Sequence, residues 1–299
     1  MTIQIGQTDD LQHVAAGLDV AEERDVKFGN ENNYTGEYKG IYNTSKDELS
    51  QIATKKYSII QHRDVVNGVH AAIDRLGLEV NGKITDNGDR IEGWLHFTND
   101  DEYRIVEPGS TGDEDIKLGI QFQNSYDGSC SMMLQGFGYR SICSNGMILG
   151  KKMLGKYHRR HVGDENTAER IQEIAKDVMD DIARRSDRVQ AMIEGAHEDV
   201  LEKTEIYELL DERFSAQKHI ENILENLDIT LITTKEENEQ GEEEEEINLI
   251  KEEDASENIT KWEVYNAITA YATHSDEITQ NTAENIHNES QKVLLQEEN

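Results

Sequence analysis

Cysteine occurs only twice, at Cys130 and Cys143, and proline once, at Pro108. Two thiols in a chain of 299 residues cannot build a disulfide framework and point to a reducing compartment. No stretch approaches the roughly eighteen consecutive apolar residues that a spanning helix needs, so no membrane segment is expected. The opening MTIQIGQTDDLQHVAAG has no basic n-region and no apolar h-region, which predicts no signal peptide and a cytoplasmic location. Also missing are G-x-x-x-x-G-K-S/T, G-x-G-x-x-G and H-E-x-x-H. Nucleotide hydrolysis, dinucleotide redox chemistry and zinc proteolysis therefore have no support.

Acid is abundant: 62 Asp and Glu against 30 Lys and Arg, a net charge of −32. The window Glu236–Glu257 accounts for −11 of this, so −21 is spread through segments that read as folded. Two explanations compete. The host cytoplasm is very salty and the acids keep a screened protein soluble, or the acids sit in a disordered tail. The dispersed share favours the halophilic host. The same excess argues against binding nucleic acid or anionic membranes over most of the surface.

Residues 1–44 are polar and rich in Gly and Asn, and read as an arm or irregular loop. Ser45-Lys46-Asp47-Glu48 fits a capping box that opens a short helix through Ala53. Tyr57–Gln61 reads as a strand. Val65, Val69, Ala72, Ile73 and Leu76 share one face of a helix over Asp64–Leu76, stopped by Gly77. Leu78–Thr85 and Arg90–Phe97 flank Asn87-Gly88, a hairpin signal. Further strands are expected over Tyr103–Val106, Ile116–Gln123, Ser129–Phe137 and Arg140–Leu149. From Glu165 the period becomes helical. Apolar residues from Ala168 to Ala196, and again from Ile206 to Leu227, predict a long helix and a partner helix, as a hairpin or coiled coil. Asp228–Thr234 reads as a short strand, the Glu-rich window as a solvated linker, and the remainder as two helices. The expected fold is α+β, an antiparallel sheet core with flanking helices. Its parts are an arm (1–44), the core (45–164), a helical segment (165–234), an acidic linker (235–258) and a C-terminal helical segment packing on the core (259–299).

Three segments carry a family resemblance: NSYDGS at Asn124–Ser129, YRSICSNGM at Tyr139–Met147, and WEVYNAITAYATH at Trp262–His274. On Asn124, Tyr126, Asp127, Gly128, Arg140, Cys143, Asn145, Gly146, Trp262, Asn266, Thr269 and His274 the chain resembles the phage- and plasmid-associated domain of unknown function 932 family, over about residues 55 to 275. The resemblance implies a mobile-element context and no particular chemistry.

Residues 128 to 163 contain no Asp or Glu. They hold Arg140, Lys151, Lys152, Lys156, Arg159 and Arg160, interleaved with Gly and with Tyr139 and Tyr157. Cations with stacking rings suit a phosphate backbone and unstacked bases. Buried strands explain the first half of this gap, but not Gly150–His161. Pairing with the chain's own acidic tail is a competing account of that second half. Cys143 invites a nucleophile reading with His158 or His161 as base, yet no third member or oxyanion device can be named. Cys130, Cys143, His158 and His161 lack the paired knuckle of a zinc site, so neither metal nor cofactor is expected. Asp127 and Asn124 read as turn residues, and Trp262, Tyr265 and Tyr271 as a packing stripe. The leading expectation is a mobile-element accessory of DNA metabolism that binds single-stranded nucleic acid through Arg140, Lys151, Lys152, Lys156, Tyr157, Arg159 and Arg160, with no enzyme activity assigned. A non-catalytic homo-oligomeric scaffold is the alternative, and a Cys143-dependent enzyme comes third.

Overall fold

The computed structural model describes residues 1–26, 37–99, 103–106, 108, 115–140, 154–161, 168–237, 243–251, 258–275 and 278–295. The chain divides into two compact units. The first holds residues 1–105, 113–142 and 148–187; the second holds 106–112, 143–147 and 188–299.

The first unit is built on a seven-stranded antiparallel sheet. Its strands are β1 (Thr2–Ile5), β5 (Val80–Asp86), β6 (Arg90–Phe97), β7 (Arg104–Ile105), β8 (Ile116–Ser125), β9 (Met132–Arg140) and β10 (Lys156–Arg159). They lie in the order β1-β5-β6-β8-β9-β10, with β7 also on β8. Strand β6 alternates buried and half-buried residues, whereas almost all of β8 is buried. A strand buried at successive positions is covered on both faces. Helices α1 (Asp10–Gly17) and α2 (His62–Leu76) belong to this unit, together with a second sheet of β2 (Ala21–Asp25), β3 (Tyr38–Asn43) and β4 (Glu48–Thr54).

Space for aromatic rings comes from glycines across the strand. Phe122 pairs with Gly93, where an added Cβ would lie 2.1 Å from the ring. Phe137 pairs with Gly119, where an added Cβ would lie 2.2 Å from the carbonyl oxygen of Leu95 and 2.8 Å from the Phe137 ring. A backbone oxygen in a central ladder cannot retreat without parting β6 from β8. Gly119→Ala should therefore destabilise the chain by about 1–3 kcal/mol or more through overpacking. A urea midpoint equal to that of wild type would contradict this packing.

The long helix α3 (Ala168–Glu198) appears where the apolar period predicts it. In the first unit its stripe has partners. Ile171 sits where a side chain on Gly68 of α2 would be, and Ile182 sits against Gly136 of β9. Ile171, Ala175, Met179 and Ile182 are buried there.

The second unit contains the end of α3, α4 (Lys203–Asp211), α5 (Gln217–Glu225), α6 (Lys261–His274) and α7 (Gln280–Leu294). It also has the pair β11 (Val200–Leu201) with β14 (Ile259–Thr260) and the hairpin β12 (Ile229–Glu237) with β13 (Glu243–Lys251). Helix α6 is its centre: Trp262, Val264, Tyr265, Ala267, Ile268, Tyr271 and Ala272 are all buried. That is burial around the helix rather than along one stripe. Thr260 opens it with a capping box to Glu263.

Several local expectations give way. Residues 1–44 contribute β1, α1, β2 and β3 instead of forming an arm. Ser45–Glu48 opens no helix. The side-chain oxygen of Asn43 accepts from the backbone of Ser45 and Lys46, Asp47 takes φ +50°, and the chain turns into β4. A helix of two turns is marginal by itself, and the Asn43 turn offers the backbone an alternative. At the β5–β6 turn only Gly88 takes positive φ, while the Asn87 side chain accepts from the backbone of Asp89 and Arg90. Residues 243–251, assigned to an acidic linker, pair as a hairpin with residues 229–237, which include the strand expected over Asp228–Thr234. The run INLI in the second of these strands is masked in composition by the glutamates around it. The strand expected over Arg140–Leu149 lies, beyond Arg140, outside the described residues.

Candidate functional site

Strand β10 carries Lys156, Tyr157, His158 and Arg159, followed by Arg160, on one edge of the seven-stranded sheet. Gly155 turns the chain into it at φ +90°, its carbonyl accepting from the backbone of Gly136. Buried Leu154 precedes it. At the other end His161 is buried, and its ring stacks on Tyr57 at 5.0 Å, nearly parallel. The basic strand is thus pinned by an apolar residue on one side and an aromatic stack on the other.

Register sorts the cations. Arg159 pairs with Met132 and Lys156 with Gln135, whereas Arg140 is the last residue of β9 and pairs with Ile116. At roughly 3.3 Å per residue, Arg140 lies about 16 Å along β9 from the partner of Lys156. Arg140 is therefore set apart from the β10 group. Lys151, Lys152, Cys143, Asn145 and Gly146 lie outside the described residues.

Between β10 and α3 runs a cleft of about 160 Å³ lined by Lys156, Tyr157, Arg170, Ile174, Asp177, Val178 and Asp181. Two carboxylates share it with two cations. Asp181 is held by Arg184 at 2.7 Å and Arg185 at 3.3 Å, and Arg170 by Glu173 at 2.8 Å. His158 and Arg160 are exposed beside the cleft.

Behind β10 lies a buried polar knot, of which Asn124 and Tyr126 belong to the segment expected as a turn. Residues 57–62 run past the end of β8, and their backbone bonds go to side chains and loops. Ser58 donates to the His161 carbonyl, and Ile60 accepts from the Asn124 amide at 2.8 Å. The same amide nitrogen lies 2.9 Å from Nδ1 of His62. Because Asn124 Nδ2 donates to both, Nδ1 of His62 is an acceptor and its proton sits on Nε2. Tyr126 stacks on His62 at 3.7 Å. Its hydroxyl accepts from the backbone of His62 at 2.8 Å and reaches the Asp19 carbonyl and Gln61 Oε1 at 3.0 and 3.1 Å. His62 Nε2, Asn124 Oδ1 and both ring nitrogens of His161 have no protein partner among the described residues. Burial, aided by the nearby His161, lowers the pKa of His62 to about 3, and burial lowers that of His161 to about 4. Both rings are neutral at pH 7. Burial also raises the Tyr126 and Tyr57 hydroxyls above their ordinary value. These groups come from three separate stretches of the chain, residues 57–62, 124–126 and 161, so no local pattern joins them. The one signal was a polar Asn-Ser-Tyr run ending an apolar strand.

Gly128 takes φ +75° and Asp127 accepts from the backbone of Ser129 at 2.9 Å, so these two do form the expected turn. Cys130 shares the turn, and burial raises its thiol pKa, which opposes thiolate chemistry. No group of three His, Cys, Asp or Glu suited to a metal occurs among the described residues, and none of their helices is long and apolar enough to cross a membrane. In the second unit Trp262 and Thr269 are buried, Asn266 is half-buried, and His274 is exposed in the last turn of α6. Trp262 stacks on Tyr265 at 5.1 Å.

A family model described as "Domain of unknown function (DUF932)" matches residues 50–294, a range that reaches into both units and omits β1, α1, β2 and β3. No curated protein and no solved structure matches the chain.

Proposed function

The chain belongs to the family described as Domain of unknown function (DUF932), and we propose from its own geometry that it binds single-stranded nucleic acid along the β10 edge. The observation that carries this reading is one acid-free edge strand, Lys156–Arg159, with Tyr157 at a cleft and an exposed Arg160 following it. Cations in a row supply a sequence-independent, salt-dependent attraction to phosphates, and the half-buried Tyr157 offers the open side of its ring to a base. A mobile-element accessory of DNA metabolism is the role such binding would serve. One observation favours a second reading: Asp177 and Asp181 line the same cleft, so part of the basic strand serves the chain's own acids.

Fluorescence anisotropy with a labelled oligothymidine separates the two. Tyr157→Ala should weaken binding about tenfold or more at every salt concentration, the effect of one lost stacking contact. Arg160→Glu should weaken it most at low salt and lower the salt slope by about one phosphate contact. Duplex DNA should compete poorly. Binding that is absent in wild type but appears in Asp177→Asn with Asp181→Asn would replace the first reading by the second. No binding by either protein removes both.

A further inference from the structure

The second unit has a cavity that the β10 reading does not use. It measures about 350 Å³ and is lined by Arg188, Met192 and Gly195 on α3, by Asp199 just after it, by Lys261 at the start of α6, and by Leu294 at the end of α7. This is within the range of about 300–1,000 Å³ typical of small-molecule sites. Ala191, Ala196 and Leu295 complete an apolar wall. The polar part has two cations and one carboxylate. Lys261 Nζ lies 3.3 Å from Asp199 Oδ2, with the lysine side chain 14% exposed, so these two charges offset each other. Arg188 has no ion-pair partner among the described residues, and it is exposed at the rim. One uncompensated guanidinium above an apolar wall is complementary to a carboxylate on an apolar body. A planar guanidinium can hold a carboxylate through two parallel hydrogen bonds. In a chain of net charge −32 an anion is repelled at long range, so a site that takes one must supply its own cation.

We infer that this cavity binds a small amphipathic organic carboxylate, its head group on Arg188 beside Lys261 and its apolar body against Met192, Ala196 and Leu294. The site is independent of nucleic-acid binding at β10.

Gly195 provides a clean test. An added Cβ there meets nothing within 4 Å, so a larger side chain at this lining position starts in open space. The substitution also removes a glycine from a helix interior, which favours folding. Isothermal titration of the full chain with octanoate should show saturable binding, at least about tenfold tighter than octanol or acetate. A charge-assisted hydrogen bond and apolar burial are each of that size. Gly195→Leu should abolish binding while circular dichroism shows a helix content and melting temperature no lower than in wild type. Gly195→Ala should leave intermediate affinity. Arg188→Gln should bring octanoate down to the affinity of octanol. Failure of octanoate to bind wild type overturns the inference. So does equal affinity for octanoate and octanol, or undiminished binding in a folded Gly195→Leu.

Discussion

Trp262→Ala should cost about 3–5 kcal/mol, the range for truncating a large buried aromatic. Trp262 is 1% exposed. It stacks on Tyr265 at 5.1 Å with an angle of 15° and lies 5.4 Å from His197 of α3. It is also the second residue of α6, inside the Thr260–Glu263 capping box. Its loss opens a cavity at the point where α6 meets the last turn of α3, and the rigid neighbours can close it only partly. Urea unfolding followed by circular dichroism measures the cost. Trp262→Phe, which keeps an aromatic body, should recover about half. A loss under about 1 kcal/mol for Trp262→Ala would mean that this residue is not the anchor its burial implies.

Acid should weaken the fold before most carboxylates are protonated. His62 titrates at about 3 and His161 at about 4 in the folded chain, against an ordinary value of 6.5. A folded pKa below the unfolded one means that the native state binds fewer protons. Stability is then fully present above pH 6.5 and is lost as pH falls through the window between 6.5 and the folded values. At pH 5 the unfolded chain has taken up most of both protons and the folded chain neither, a loss of about 2 kcal/mol per ring. Asp89 and Asp19 act in the opposite sense on His62, but burial outweighs them. Urea midpoints at pH 7.5 and pH 5 should therefore differ clearly. His161→Phe keeps the ring on Tyr57 and removes one titration. It should flatten the pH dependence by about 1.2 kcal/mol per pH unit between 5 and 6. Equal midpoints at the two pH values in wild type would show that the two rings are not buried neutral.

Regular patterns were readable from the residues, and competition between neighbours was not. The stripe Val65–Leu76 with Gly77 behind it became α2 almost to the residue, because period and stop signal agree. Asn87-Gly88 marked the hairpin, though a different turn closes it. Ser45–Glu48 misled because a capping box is a short-range pattern, and Asn43 two residues earlier satisfies the same backbone groups another way. The glutamates around Ile247–Ile250 hid a strand because charge counts ignore alternation. The basic run was legible as composition. Its division was not, since only the β9–β10 register sets Arg140 apart from Lys156. The knot of His62, Asn124, Tyr126 and His161 depends wholly on long-range contacts.

The order of the large sheet bears on how it is made. From β5 onward, each strand on the main path is laid beside one made earlier on the same growing margin, ending in β10. Closures between near neighbours in the chain are entropically cheap, so the sheet can lengthen sideways in step with synthesis. Only β1 must wait, since Thr2–Ile5 meets Gly82–Thr85 some 80 residues later. A sheet that grows this way needs a terminator, because its newest strand always offers a row of free amides and carbonyls to any other chain. A last strand bearing Lys156, His158 and Arg159 resists adding another copy of itself. Charge reversal on β10 would then leave growth blocked, whereas neutral β-branched residues there would leave the margin open to assembly into chains.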